Sequence, residues 1–576
     1  MPTVTTAAPE RAGLSRTADD RPVPPATERS RNRLRVEDPF VGWVGALSVT
    51  VLALFLRLWK LGTPHEFLFD ETYYAKDAWS MLHFGYARDY LDGDKVNSAI
   101  LAGDTTDQWK STASMSVHPE VGKWLIAAGE KAFGMDPFGW RIAAAIIGSL
   151  MILVMCRLVR RMTGSTLLGL VAGLLLSFDG MQLVLSRIAL LDIFVAFFLL
   201  LAVHCHVADR DWYRSRLARL TASSGGQVAA GTGPVRALAF RPWLVAAGVS
   251  WGLACGSKWE AVYPMAAFGL LTFAWSAGAR RAYGVRAALA RSVLADGVPA
   301  FLSVVGVAVV VYTATWTGWL VHAEKYEHDL SSTQYTKYSG HGHCDGTSYI
   351  SDDPDTDARW PTATEPDASG LGEVVQSLRS LWYYHQDVYT FHTHFLNCST
   401  HIYASQPSGW LILNRPVGVD ADTKIQPGTQ GCDAPSGSDC LRVITLLGTP
   451  ALWWGGCLAV LAAAVLWIGA RDWRYGVAVV GTLSTWLPWL QYADRPIFIF
   501  YAIITIPFMV IAIALLMGRL LGASAAPSPR RTAGVIVSGA FFMLVLLNFA
   551  WFWPIYTDQL LTHKEWLDRI WFSRWI

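Results

Sequence analysis

Apolar runs of bilayer-crossing length, separated by short arginine-bearing stretches, constrain this chain more than any other feature. A transmembrane helix needs about 20 apolar residues, and about eleven runs, some of them short, fit that role. They are Val41–Leu58, Pro137–Cys156, Ser165–Phe178, Ile188–Val207, Pro242–Cys255, Glu260–Ala277, Leu294–Thr315, Thr449–Gly469, Val477–Leu490, Ile497–Met517 and Ala533–Trp553. Only 16% of the 576 residues are charged and 52% are hydrophobic. A soluble chain would carry about 25% charged residues. Lipid offers no partner for backbone N–H and C=O groups, so each run must close its own hydrogen bonds as a helix. The expected class is an all-α polytopic membrane protein.

Charge sets the expected orientation. With the tail bearing Arg31, Arg33 and Arg35 inside, alternation also puts Arg157–Arg161, Arg210–Arg219, Arg280–Arg291, Arg471–Arg474 and Arg519–Arg531 inside. The net charge of +2 is therefore a topology signal and not a nucleic-acid face. Residues 1–40 lack an apolar core for a signal peptide and read as a disordered cytoplasmic tail. An odd span number leaves the C-terminus extracytoplasmic. The order expected is a transmembrane half over 41–315 with an outside segment 60–136, a long outside loop 316–447, and a second transmembrane half over 448–576. The inside connection Ala208–Arg241 holds TASSGGQVAAGTG, which reads as a flexible linker. Cys344, Cys398, Cys432 and Cys440 fall together in the long loop, and an even number there points to two disulfides on an oxidising side. Three pairings are open. The other four cysteines lie in apolar runs and read as core.

Ionisable residues at the outer span ends are the informative set, because burying charge in a membrane is costly. Asp70 and Glu71 open FLFDETYYAKDAWSML, an amphipathic helix following the first span. Asp70 stands at its N-cap, where backbone N–H groups would keep it ionised and fit for a general base. The plainer reading is an ordinary cap. His118 precedes a second amphipathic helix carrying Lys123. Arg141 lies about a turn inside the second span. Arg187 and Asp192 bracket the outer end of the fourth; the first suits snorkelling, the second an ion pair with Arg187 or Arg141. Lys258 and Glu260 fill the turn between the fifth and sixth, where Lys258 could serve as a headgroup anchor, and Arg495 opens the tenth. Cations at headgroup level suit a phosphate, and carboxylates beside them suit a base or a metal. His341/His343 and His392/His394 are H-x-H pairs without a matching ligand set, so no metal site is assigned. Asn397-Cys398-Ser399 matches a glycosylation sequon and is taken as chance.

FDE, HPEVGKWL, SRIALLDIF, GSKWEAVYP, SGWLILNRPV and WLPWLQYADRPIFIFYAIITIPFMV occur in that order. This series resembles the protein O-mannosyltransferases, in their bacterial, actinobacterial-type branch, over nearly all of Val41–Trp553. The resemblance implies a GT-C glycosyltransferase fold. It also implies inverting transfer of mannose from polyprenyl phosphate mannose to Ser or Thr of exported proteins. That lipid is the only donor or cofactor implied. Ser/Thr-rich exported proteins and, through secretion, the Sec translocon are the candidate partners. By position, Asp70 matches the catalytic acid, Glu71 its acceptor-placing neighbour, and Arg141 and Lys258 cations near the lipid phosphate; Arg495 joins them on charge alone. The long loop is too short for the β-trefoil domain of eukaryotic members, and HPEVGK stands where the family has HPPLGK. Two other classes compete: a GT-C transferase acting on a glycan or lipid acceptor, and a transporter or flippase. The second should carry its ionisable residues near mid-bilayer, not at one face. An oligosaccharyltransferase would need a WWDYG-like motif, for which WWGG at Trp453–Gly456 is no substitute.

Overall fold

The computed structural model describes residues 37–223, 233–331, 359–393, 395–522 and 526–576. The expected disorder of the tail lies outside the described residues up to residue 36, and so does most of the Gly/Ser linker. Among the described residues, seven helices are long and apolar enough to cross a membrane. Among them are α1 (Pro39–Leu58), α4 (Pro137–Thr163), α6 (Asp192–Ser223), α9 (Ala288–Thr315), α11 (Pro450–Ala470) and α14 (Pro529–Tyr556). The seventh contains α8 (Val262–Ala282). Shorter apolar helices are α5 (Thr166–Ser177), α7 (Pro242–Cys255) and α13 (Ile506–Leu521). The ninth expected run is covered by α12 (Trp473–Trp486).

Their packing follows the side chains. On α6 and α13 nearly every apolar residue is buried, so these two helices form the middle of the bundle. On α1, α11 and α14 one face stays exposed, with Val51 and Phe55, Leu458 and Ile468, and Ile536 and Leu547 turned outward. Bands of this kind would be untenable in water and mark the lipid-facing surface. Between α4 and α5 the contact is close: a Cβ on Gly173 would collide with the Cys156 sulfur. Small residues permit such approach where lipid supplies no hydrophobic drive between helices.

Several boundaries differ from expectation. The connection expected from Ala208 is helical as far as Ser223, because α6 continues past the apolar run. There Asp209 pairs with Arg241 and Arg161 with Asp211. The tenth run is broken: a 3₁₀ turn over Ile499–Ile504 precedes α13. The ninth ends at Trp486, where Pro488 enters another 3₁₀ turn, Leu487–Tyr492. Pro removes a backbone donor and blocks continuation of the helix.

The segment after α1 forms α2 (Glu71–Phe84), an antiparallel pair β1 (Arg88–Tyr90) and β2 (Trp109–Ala113) with a short helix Gly93–Leu101 between them, and α3 (Val121–Phe133). The long loop is not unstructured over its described part. It holds α10 (Leu371–Thr393) and strands β3 (Val417–Ile425) and β4 (Cys440–Leu446). A third strand, β5 (Leu561–Thr562), joins from the C-terminal segment to give the order β3-β4-β5. Cys432 and Cys440 form a disulfide. The second expected bridge, from Cys344 and Cys398, falls on side chains outside the described residues.

Candidate active site

The bundle end that carries α2 and α3 gathers most of the ionisable residues singled out from sequence, into two separate clusters. Arg141, in the second turn of α4, is fully buried and every one of its five N–H groups is used. Its Nε and Nη2 grip the two Glu71 oxygens, each at 2.9 Å. Its Nη1 reaches Leu61 O at 3.3 Å and Pro64 O at 2.9 Å, and Nη2 also reaches Glu66 O at 2.7 Å. Glu71 further accepts from Leu68 N at 2.9 Å and Ala189 N at 2.8 Å. Neither side chain has capacity left for a ligand. Arg141 and Glu71, expected at a phosphate and at an acceptor, here tie the 61–66 turn, the start of α2 and the 189 turn together.

Asp70 stands beside that pair but is not consumed by it. It occupies the N-cap position of α2, yet its side chain makes no capping bond. The expected stabilisation of its ionised form by backbone N–H groups is absent. Burial instead raises its carboxyl to about 6, with Lys258 lowering it, Asp192 raising it and the Tyr74 hydroxyl lowering it. The residue as a whole is half-buried, and Lys258 and Asp192 are close enough to act on its charge. Phe69, just before it, has φ +49°, a left-handed conformation rare for an aromatic residue. Phe498 and Phe500 hold its ring edge-on at 5.7 and 5.8 Å. Packing across the chain thus imposes the backbone turn that presents Asp70.

The second cluster lines a cavity of about 270 Å³ bounded by Lys258, Glu260, Arg495, His118, His392 and Tyr501, with further aromatic walls. Lys258 Nζ lies 2.8 and 2.9 Å from the Asp192 oxygens and 4.6 Å above the Tyr501 ring. Burial disfavours its charge, but Asp192 and Tyr501 outweigh that and hold it above the ordinary lysine value. Asp192 thus pairs with Lys258 rather than with Arg187 or Arg141. Arg495 is different. Its Nη1 meets His392 Nδ1 at 3.4 Å, while its buried Nε has no hydrogen-bond partner among the described residues. Glu260 Oε1 is likewise buried and unpartnered. His118 is held well below its usual range by burial and by the charges of Lys258, Lys123 and Arg495 around it, so it stays neutral. Its segment is tied to the Lys258 turn by Val121 N donating to Gly256 O at 2.9 Å.

Lys123 and Arg187 do not line the cavity either. Lys123 is 1% exposed and pairs with Asp77 at 2.9 Å. Arg187 does not snorkel; its Nη1 donates to Arg57 O at 3.0 Å and Trp59 O at 2.5 Å, closing the C-terminus of α1. Conversely, only the H-x-H pattern marks His392 in the sequence, and no site motif marks Tyr501, Trp259, Tyr263 or Tyr389, which line the cavity. Proximity to the KWE and ADR motifs was the available signal for Trp259, Tyr263 and Tyr501. His394 lies outside the described residues, and among those described no group of three or more His, Cys, Asp or Glu could hold a metal ion.

A neutral-to-cationic cleft beside a raised carboxyl, at one end of a membrane bundle, can bind an anion and accept a proton. Known proteins are similar to this chain over nearly its whole length. A family model described as dolichyl-phosphate-mannose-protein mannosyltransferase matches residues 47–304. Another, the C-terminal four TMM region of protein-O-mannosyltransferase, matches residues 377–575. The polyprenol-phosphate-mannose–protein mannosyltransferase of Mycolicibacterium smegmatis is 34% identical over 93% of both chains. That of Mycobacterium tuberculosis is 33% identical over 93% of this chain and 92% of its own. The Saccharomyces cerevisiae protein O-mannosyltransferase Pmt1-Pmt2 complex bound to the sugar donor superposes with TM-score 0.64 and 13% identity, over 94% of each chain. That likeness shows a shared GT-C fold. Given the two matching models and the full-length mycobacterial relatives, the chain belongs to the dolichyl-phosphate-mannose-protein mannosyltransferase family.

Proposed function

We propose that this protein transfers mannose from a polyprenyl monophosphate to a Ser or Thr hydroxyl of an exported protein, with Asp70 as general base. The observation that carries the reading is the arrangement of Asp70 beside a cleft whose Arg495 has no carboxylate bonded to it. The acceptor oxygen attacks the anomeric carbon from the side opposite the phosphate, and its proton passes to Asp70. The bond from that carbon to the phosphate oxygen breaks, its electron pair leaves with the lipid phosphate, and the configuration inverts. A phosphate leaves without protonation, so one carboxylate suffices where glycoside hydrolysis uses two. Negative charge then grows on the phosphate; Arg495 would meet it directly, and Lys258 would add the one N–H that its bonds to Asp192 leave over. The aromatic rings of the cleft offer apolar faces to the sugar and the first isoprene units.

Orientation supports the same reading. The arginine-rich connections would face the cytoplasm and the cleft the outside, with the N-terminus in and the C-terminus out. Acceptors would then meet the enzyme as they leave the Sec translocon, which crosslinking of a secreting Thr-rich substrate would test. The decisive experiment uses the purified protein, mannosyl-phospholipid and a Thr-rich peptide. Asp70→Asn should keep donor binding while transfer falls by about 10²–10⁴-fold, the usual worth of a general base. Near-normal turnover would remove Asp70 from the role; transfer to a glycan in place of the peptide would change the acceptor class.

A further inference from the structure

His392, at the C-terminal end of α10, is held on several sides. Its ring stacks on His118 with centroids 5.4 Å apart and planes 23° apart, and Trp259 meets it edge-on at 6.4 Å. Its Nε2 lies 3.1 Å from Val117 O. A carbonyl can only accept, so Nε2 carries the hydrogen and Nδ1 keeps its lone pair. That lone pair faces Arg495 Nη1 at 3.4 Å. We infer that His392 is a positioning residue: through the Val117 carbonyl and a fixed tautomer, it sets the Arg495 guanidinium over the cleft. This rests on the reading that Arg495 binds the donor phosphate.

The choice of a neutral partner has a physical reason. A carboxylate in the same place would hold the guanidinium more tightly but would neutralise it, and an incoming phosphate would have to displace it. An imidazole acceptor orients the group and leaves the charge intact. The remaining donors stay available, and Nε has no partner among the described residues. The nearby Glu260 does not fill that place, since its Oε1 is itself unpartnered. The cationic surroundings also keep His392 in the form required: burial, then Arg495, lower it to about 4, the Val117 carbonyl opposing and Lys258 adding to the decrease.

The test is steady-state kinetics on the full-length protein with varied polyprenyl phosphate mannose and saturating peptide. His392→Phe keeps a stacking ring and removes both hydrogen bonds; it should raise the donor KM by about tenfold, the scale of one lost bond to a charged group, with a smaller change in kcat. His392→Gln restores an acceptor and a donor and should return KM to within about threefold of wild type, inside the spread of one hydrogen bond. In an Arg495→Ala background, His392→Phe should add nothing. Equal KM defects with and without Arg495, or no rescue by Gln, would overturn the inference. If Phe does not fold, His392→Met removes the same two bonds in a flexible side chain and is held to the same criteria. An Arg495→Ala enzyme with wild-type donor KM would refute the donor-phosphate reading itself. A raised KM in Arg495→Ala with none in His392→Phe would refute only the role of His392.

Discussion

Arg141 and Arg495 invite comparison because each follows an apolar or aromatic stretch at the same end of the bundle. One is saturated: five N–H groups meet five acceptors, two of them on a carboxylate. The other meets one neutral imidazole and keeps a buried donor unused. Burial alone therefore does not mark a functional cation. A fully satisfied guanidinium is architecture, and one left short of acceptors beside a cavity is free to take an anion.

The comparison can be broken most forcefully at Arg141. Arg141→Ala strands Glu71 as an uncompensated buried charge, and losing one partner of such a pair costs about 3–5 kcal/mol. Thermal unfolding in detergent should show a large drop in Tm or no folded protein at all. A well-folded Arg141→Ala protein with only a raised donor KM would reverse the two roles. Arg495→Ala should leave Tm nearly unchanged while kcat/KM falls by about 10²–10³-fold, as for loss of one preorganised charge-stabilising donor.

The pH profile sharpens the contrast from the side of the base. The Asp70 carboxyl is raised by burial to about 6, so its basic form is complete above that value and lost as pH falls through it. kcat/KM should then drop about tenfold per pH unit below 6. A raised carboxyl also means that its ionisation opposes folding above pH 6, so Asp70→Asn should unfold at the same or higher temperature than wild type at pH 7. An activity profile flat down to pH 4.5 would exclude Asp70 as the titrating base. The smallest effect belongs to the Cys432–Cys440 bridge, which bonds to neither arginine. It closes a separation of only 8 residues. Replacing both cysteines by Ser should cost less than about 3 kcal/mol, with donor KM unchanged.

Particular residues show how much was readable in advance. Apart from the ninth and tenth, the apolar runs coincide with helices, since a membrane helix satisfies its backbone within itself. Asp70, Lys258 and Arg495 were singled out for charge at span ends, and the structure brings them to one region. Charge at a span end did not separate them from Lys123, Arg141 and Arg187, which carry the same signal and are spent on Asp77, Glu71 and the end of α1. The broken tenth run was also hidden, because its 3₁₀ turn is as apolar as a helix and packs Phe498 and Phe500 on Phe69.

Composition and residue order set the membrane class, the rough span positions, the loop charges and the family, because all of these are local properties. Tertiary structure alone decided which cation is spent and which is free. Arg141 finds Glu71 across 70 residues, and Arg495 finds His392 across 103. Hydrogen-bond satisfaction is a property of the assembled neighbourhood, and nothing in a residue's own stretch of chain records how many acceptors will surround it once the helices pack.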